Sequence, residues 1–275
     1  MKKYILGVDT CDKNGAFGTK TEGLIVLKNF GITVPTFWAV DGKNFLRLVT
    51  DYDLTDPVEF FSRRDYDDSE MRKLDDIKAV TELQENLPRD CRYIVRSSSI
   101  PIGAIPNYAS IISGAFESYE CAVDGVKDAI FEVYKSLYSK RAFEQIKLTR
   151  VKPCIKGMAV LIQKFIEPQC SGVAHALRGE SKIELNWVKG HLRAIVSGAV
   201  SGNHDVLTRE DGDVCIEGKE SHIYSILENG YSNCFASLYD AVWRISDALK
   251  KDIEVEWLYA NGKVYIVQCQ EFIKL

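Results

Sequence analysis

The sequence predicts an α+β protein of two lobes, and two observations carry that class. Segments with helical spacing and segments with strand character come in blocks instead of strict strand–helix–strand alternation, which argues against a doubly wound parallel sheet. The closing block, "EVEWLYANGKVYIVQCQ" (254–270), holds two apolar runs joined by Asn261-Gly262, a strong signal for an antiparallel hairpin. At 275 residues the chain has room for one large domain or two lobes and can bury a substantial core.

The elements follow in order. "MKKYILGVD" has a five-residue apolar run before Asp9, too short for a signal peptide and suited to a first strand. Residues 19–31 read as a short helix, with Leu24, Leu27 and Lys28 at helical spacing and Gly31 as its stop. Residues 32–40 are extended and 42–52 helical, and the highly charged stretch 51–90 is a surface helical region. "RYIVRSSS" (92–99) is a strand running into a polar turn. Residues 125–148 carry Ala129, Val133, Leu137 and Phe143 on an amphipathic pattern, giving one or two helices. "GMAVLIQKFI" (157–166) is a buried strand, "CSGVAHALRG" a second, 182–209 strands and turns, and 232–249 a helix before the hairpin.

Composition excludes several classes. An apolar fraction of 46% and a charged fraction of 27% are ordinary for a globular protein, and a net charge of −4 gives no footing for nucleic acid. No stretch approaches the roughly 18 apolar residues of a membrane helix. The cysteines at 11, 91, 121, 154, 170, 215, 234 and 269 are scattered without a C-x-x-C pair, which argues against zinc. Without an export signal, reduced thiols and a cytoplasmic location are the expectation.

The hairpin poses the sharpest question. A two-residue turn pairs Tyr259 with Val264 and puts Glu254 and Glu256 on the face opposite Gln268 and Gln270. A three-residue loop, Ala260-Asn261-Gly262, pairs Tyr259 with Lys263 instead. Val255, Trp257, Tyr259, Tyr265, Val267 and Cys269 then form one nearly continuous apolar face, and Glu254, Glu256, Gln268 and Gln270 gather at one end of the other. That sorting favours the three-residue loop. The polar end is either a solvated edge face or an oxygen-rich site for a hard cation such as Mg²⁺, which uses few carboxylates plus substrate phosphates.

Six segments in colinear order resemble the N-terminal nucleotide-binding domain of phosphoenolpyruvate synthase and pyruvate phosphate dikinase, also found in rifampin phosphotransferase and glutamine kinase. They are "GTKTEGLIVLKNFGITVPTFWAV" (18–40), "YIVRSSS" (93–99), "SGAFESY" (113–119), "MAVLIQKFIEPQCSGVAHAL" (158–177), "AIVSGAVSGNHDVL" (194–207) and the hairpin. The resemblance implies an ATP-grasp fold, with residues 1–158 as one lobe, 159–275 as the other and the nucleotide cleft between them. It implies ATP and Mg²⁺ as cofactors. Lys20, in a loop before a helix, and Arg96, at a strand end, match phosphate-binding and catalytic cations. Gly114 and Ser118 match the phosphate loop. Gln163, Lys164, Phe165 and Ile166 match the hinge that holds adenine. Glu256 and Gln268 match the metal pair, with Glu254 beside them.

Two departures stand out. Gln270 replaces an arginine that neutralises terminal phosphate charge in the family, leaving Arg178 or Lys189 as possible substitutes, and Thr19 and Thr21 dilute a glycine-rich opening. None of His175, His191, His204 and His222 lies in a phosphocarrier segment of the family type. The expectation is therefore a stand-alone phosphotransferase component of kinase type. It would pass phosphate to a histidine on a separate partner protein or to a small acceptor, with no membrane or nucleic-acid partner. The alternatives are a degenerate nucleotide-binding module and a direct ATP-grasp kinase or ligase of a biosynthetic pathway.

Overall fold

A computed structural model describes residues 4–6, 17–42, 45, 78–101, 116–142, 144, 155–191, 202–210, 213–217 and 232–272. The chain divides into two compact units, one of residues 1–25 and 36–165, the other of 26–35 and 166–275. Among the described residues no helix is long and apolar enough to cross a membrane.

The first unit holds a five-stranded antiparallel sheet in the order β1-β2-β5-β3-β4. Its strands are β1 (Tyr4–Leu6), β2 (Phe37–Val40), β3 (Arg92–Pro101), β4 (Ser118–Ala122) and β5 (Ile155–Lys164). Alternation along each strand divides the sheet into two faces. Trp38 and Val40 of β2, Tyr93 and Val95 of β3, and Met158, Val160 and Ile162 of β5 point into one core. Helix α2 (Lys78–Asn86) brings Val80 and Leu83 to that core. Helix α3 (Val126–Ser136) brings Val126, Ala129, Ile130 and Val133, the i, i+3, i+4, i+7 stripe of an amphipathic helix. The other face carries Phe37 and Ala39, Ile94, Arg96 and Ser98, Ser118, and Leu161 and Gln163.

The expected polar turn after Arg96 is not there. β3 runs on to Pro101, pairing Ser97, Ser98 and Ser99 with Val160, Ala159 and Met158, and all three serines are buried. A serine triplet favours turns locally, but pairing with β5 satisfies the backbone and overrides that preference. Helix α1 (Gly18–Asn29) starts at Gly18, so Lys20 stands in its first helical turn and not in a preceding loop. Its C-terminus closes as expected at Gly31, where Gly31 N–H donates to the Lys28 carbonyl and Ile32 N–H to the Leu27 carbonyl.

The second unit holds a six-stranded antiparallel sheet in the order β11-β10-β6-β7-β8-β9. Its strands are β6 (Cys170–Ala176), β7 (Ile183–Lys189), β8 (Asn203–Glu210), β9 (Asp213–Glu217), β10 (Ile253–Ala260) and β11 (Lys263–Glu271). Helix α4 (Ser232–Leu249) occupies the predicted span. Phe235 of α4 stands edge-on between Trp187 and Trp257, with both ring centroids 6.2 Å away. The Trp187 indole N–H donates to the buried Asp205 carboxylate at 2.6 Å.

The hairpin corrects the expected register. Tyr259 pairs with Val264 and Ala260 with Lys263, so the loop is the two residues Asn261 and Gly262. Both have positive φ, 51° and 76°, the requirement of a type I′ turn that Asn-Gly meets at least cost. Regular pairing from that turn would split the polar residues between faces. A β-bulge prevents it: Trp257 pairs with Ile266 but Glu256 with Gln268, leaving Val267 as one extra residue on β11. Beyond the bulge Glu254 pairs with Gln270, and the four polar residues share one face. The expected gathering is therefore present, produced by the bulge instead of a three-residue loop. The apolar face is built from other β11 residues than expected: Val264 and Ile266 join Tyr259 and Trp257, while Tyr265 pairs with Leu258 on the opposite side.

Trp257 is fully buried at the centre of this packing. Trp257→Ala should lower unfolding free energy by about 3–5 kcal/mol through lost burial and a residual cavity. Urea unfolding would show this as a lower midpoint at unchanged slope, and a midpoint equal to the native one would contradict the core assignment.

Candidate functional site

The first unit brings three of the predicted residues together on the face away from its core. Arg96 and Ser118 are direct cross-strand partners of β3 and β4. On the other side of β3, the Arg96 guanidinium donates to the Gln163 side-chain oxygen at 3.4 Å, a long hydrogen bond. Gln163 is buried, and Lys164 ends β5 exposed. Phe165 follows, its N–H bonded to the Arg92 carbonyl and its ring beneath the Arg92 guanidinium at 4.2 Å. Ile166 is half-buried and begins the second unit's share of the chain. Gly114 lies outside the described residues.

Helix α1, which carries Lys20, docks on the same strand, β3. The Ser98 hydroxyl donates to the Phe17 carbonyl at 2.6 Å and accepts from the Thr21 N–H at 3.1 Å and the Thr21 hydroxyl at 3.2 Å. It thereby ties both ends of the first helical turn to a neighbouring strand. Gly18, at φ +71°, lies so close to β3 that a Cβ there would sit 2.1 Å from the Ser98 carbonyl oxygen. Ser98 is two residues from Arg96 along one strand face, so the first turn of α1 docks two residues along β3 from Arg96. The Glu22 carboxyl is raised by burial, opposed by a hydrogen bond from the Phe17 backbone. Sequence reading passed over Ser98 because its serine triplet resembled a turn; alternation from Arg96 was the available signal.

The second unit presents its polar residues on the sheet face opposite α4. Glu256 and Gln268 face each other across β10 and β11. Glu256 is half-buried and Gln268 buried. One pair further along, Glu254 lies between His175 of β6 and Gln270 of β11, its cross-strand neighbours on either side. His175 Nε2 is 2.8 Å from one carboxylate oxygen, and Gln270 donates its amide to the other at 2.5 Å. The His175 ring rests on Phe272, with centroids 4.5 Å apart. The hydrogen bond from His175 is the main cause holding the Glu254 carboxyl below its usual range; burial opposes it, while the His175 charge and Gln270 assist. Burial, with the Glu254 charge adding to it, pushes the Cys269 thiol up to about 12. Of the two cations named as substitutes for the missing arginine, the Arg178 guanidinium donates to the Lys250 carbonyl while its backbone N–H donates to the Asp252 carboxylate, and Lys189 ends β7 exposed. Sequence reading did not find His175, because only the β6–β10 register brings it opposite Glu254.

Glu256 and Gln268 offer a carboxylate and an amide oxygen side by side, which suits a hard, oxygen-seeking cation. Among the described residues no three His, Cys, Asp or Glu side chains converge as a metal-binding group. Two oxygens are a partial ligand set, so any ion held there would take the rest of its coordination from phosphate or water.

Comparison with known proteins now gives the class. Residues 14–273 match the family model described as pyruvate phosphate dikinase, AMP/ATP-binding domain. The chain belongs to this family, and the ATP-grasp α+β fold implied by its motifs stands with that membership. The probable phosphoenolpyruvate synthase of Archaeoglobus fulgidus is 26% identical, the alignment covering 96% of this chain and 41% of that protein. The chain thus spans about two fifths of that relative's length. D-alanyl-alanine synthetase A from Vibrio cholerae aligns over 94% of this chain and 56% of its own at 12% identity, TM-score 0.39. C-terminally truncated Cdc123 from Schizosaccharomyces pombe aligns over 92% and 83% at 8% identity, TM-score 0.47. D-alanine–D-alanine ligase from Bacillus anthracis complexed with ATP aligns over 92% and 54% at 12% identity, TM-score 0.37.

The depressed Glu254 carboxyl makes stability depend on pH in a defined sense. A folded value below the ordinary one, about 4.3, stabilises the fold above that pH, and the contribution disappears as pH falls through the folded value. His175→Gln removes the main cause. Its stability deficit should be largest near neutrality and shrink as pH falls from about 4.3. Urea unfolding of both proteins across that range reads the difference; a deficit independent of pH would mean that His175 acts by packing alone.

Proposed function

We propose that this chain binds Mg·ATP and serves as an ATP-dependent phosphotransferase of kinase type. The acceptor would be a histidine on a partner protein or a small molecule. The observation that carries this reading is Glu256 opposite Gln268 on a polar sheet face, in a chain belonging to an AMP/ATP-binding-domain family. Glu256 and Gln268 would hold Mg²⁺, which when bound supplies charge neutralisation to the phosphates. Lys20 and Arg96 would hold the phosphate oxygens. Arg96 would do so through a planar fork, oriented from the side by Gln163. Ser118, opposite Arg96, and Gly114 would line the phosphates, and the segment Gln163 to Ile166 would hold the adenine. Phosphoryl transfer asks the protein mainly for positioning and electrostatic stabilisation, which cations on rigid strands and a docked helix can supply.

A second reading, a nucleotide-binding module with little transfer chemistry, is favoured by Gln270. Its neutral amide is engaged by Glu254, so it adds no charge for a terminal phosphate. An ATP turnover assay that resolves ADP from AMP, with and without candidate acceptors, separates the two. Turnover with a defined phosphoryl acceptor supports the transferase; tight Mg·ATP binding without turnover supports the module.

Three substitutions test the site itself. Glu256→Ala should weaken Mg·ATP binding while leaving the fold intact, since the core face of β10 is untouched; calorimetry giving native affinity would remove Glu256 from the metal site. Lys20→Met and Arg96→Met should each lower ATP affinity by roughly one to two decades, the worth of a charge-assisted contact. Adenosine affinity should change little in both, and equal losses for the two ligands would mark a folding role instead.

A further inference from the structure

We propose that Ser98 is a positioning residue for phosphate binding, setting the placement of Lys20 relative to Arg96; this rests on the reading of the site given above. A hydroxyl has one proton to donate and two lone pairs to accept with. Ser98 spends all of this capacity on one short segment of chain. It donates to Phe17 and accepts twice from Thr21, so its contacts bracket Lys20 on both sides. Ser98 is completely buried and Thr21 nearly so, which leaves water no access to replace those bonds.

The strand supplies the second half of the argument. Ser98 and Arg96 lie on one face of β3, about 6.6 Å apart at two strand residues. The spacing of the Ser98 anchor from the Arg96 backbone is therefore set by covalent geometry and by the β5 pairing that runs through both residues, and Gln163 holds the guanidinium from the side. Gly18 presses its backbone onto the Ser98 carbonyl with no space for a side chain, so the segment cannot drift closer, and the hydroxyl keeps it from drifting away. Two cations that grip one polyphosphate must keep their spacing. Without the Ser98 hydroxyl, Phe17 and Thr21 lose these bonds to β3, and the first turn of α1 shifts with Lys20 on it.

Calorimetry with ATP and with adenosine, each in the presence of Mg²⁺, tests this on the native chain, Ser98→Ala, Ser98→Thr, Lys20→Met and Arg96→Met. Ser98→Ala should lower ATP affinity about tenfold, since small misplacements of binding groups carry losses of that order and more. Adenosine affinity should change by less than about twofold, and Ser98→Thr, which keeps the hydroxyl, should restore ATP binding toward the native value. Native ATP affinity in Ser98→Ala, with Lys20→Met and Arg96→Met both weakened, overturns the inference and leaves the site reading in place. Equal losses for ATP and adenosine in Ser98→Ala also overturn it. Native affinity in all the variants overturns the site reading and the inference together. Should Ser98→Ala fail to fold, Thr21→Val removes one bond of the three while keeping the Thr21 N–H. It should still show an ATP-selective loss of about two- to threefold, and an unchanged ratio of ATP to adenosine affinity counts against the proposal.

Discussion

Side-chain parity in the closing hairpin is the constraint on which the second unit's polar face depends. Successive strand residues point to opposite faces, so any one-residue change in pairing moves a whole set of side chains across the sheet. The type I′ turn at Asn261-Gly262 sets one parity and the extra residue Val267 reverses it. Between turn and bulge, Trp257 and Tyr259 share the buried face with Ile266 and Val264. Past the bulge, Glu256 and Gln268 share the other. One inserted residue thus lets a single hairpin serve a deep aromatic core on one face and gather four oxygen-bearing side chains on the other.

The first unit reaches a similar division by other means. Regular alternation along β3 sends Tyr93 and Val95 to the core beneath α2 and α3, and Arg96 and Ser98 to the opposite face. The first turn of α1 docks on that face at Ser98. The docking requires a residue without a side chain at position 18 and a hydroxyl at position 98. Lys20 owes its location to both. Local helix propensity alone places it on a helix and says nothing about its neighbour.

The substitution of glutamine for arginine at position 270 has a structural context that alters its meaning. The Gln270 amide and His175 each hold one oxygen of Glu254, so both oxygens of this carboxylate are engaged beside the Glu256–Gln268 pair. A change that looks like simple loss of charge is part of a row of three cross-strand partners. Whatever chemistry the chain performs, Glu254 enters it as a fixed anion with both oxygens engaged.

The sequence by itself determined the class of the fold, most element spans and the residues that carry the family pattern. Amphipathic stripes such as Val126, Ala129, Ile130 and Val133 state their buried face in their spacing, and the span of α4 was legible to the residue. So was the collection of Glu254, Glu256, Gln268 and Gln270 on one face, although by a register that is not the real one. Tertiary structure decided the rest. A bulge leaves no signature in a run such as "KVYIVQCQ", because every residue in it is acceptable in a regular strand. The serine triplet joined β3 because pairing with β5 satisfies its backbone better than a turn would. His175 and Ser98 became partners of Glu254 and α1 only when distant segments met. Spacing along a chain encodes which face of its own element a side chain occupies, while the partner it finds there depends on register between strands, and register is set by contacts the local sequence does not contain.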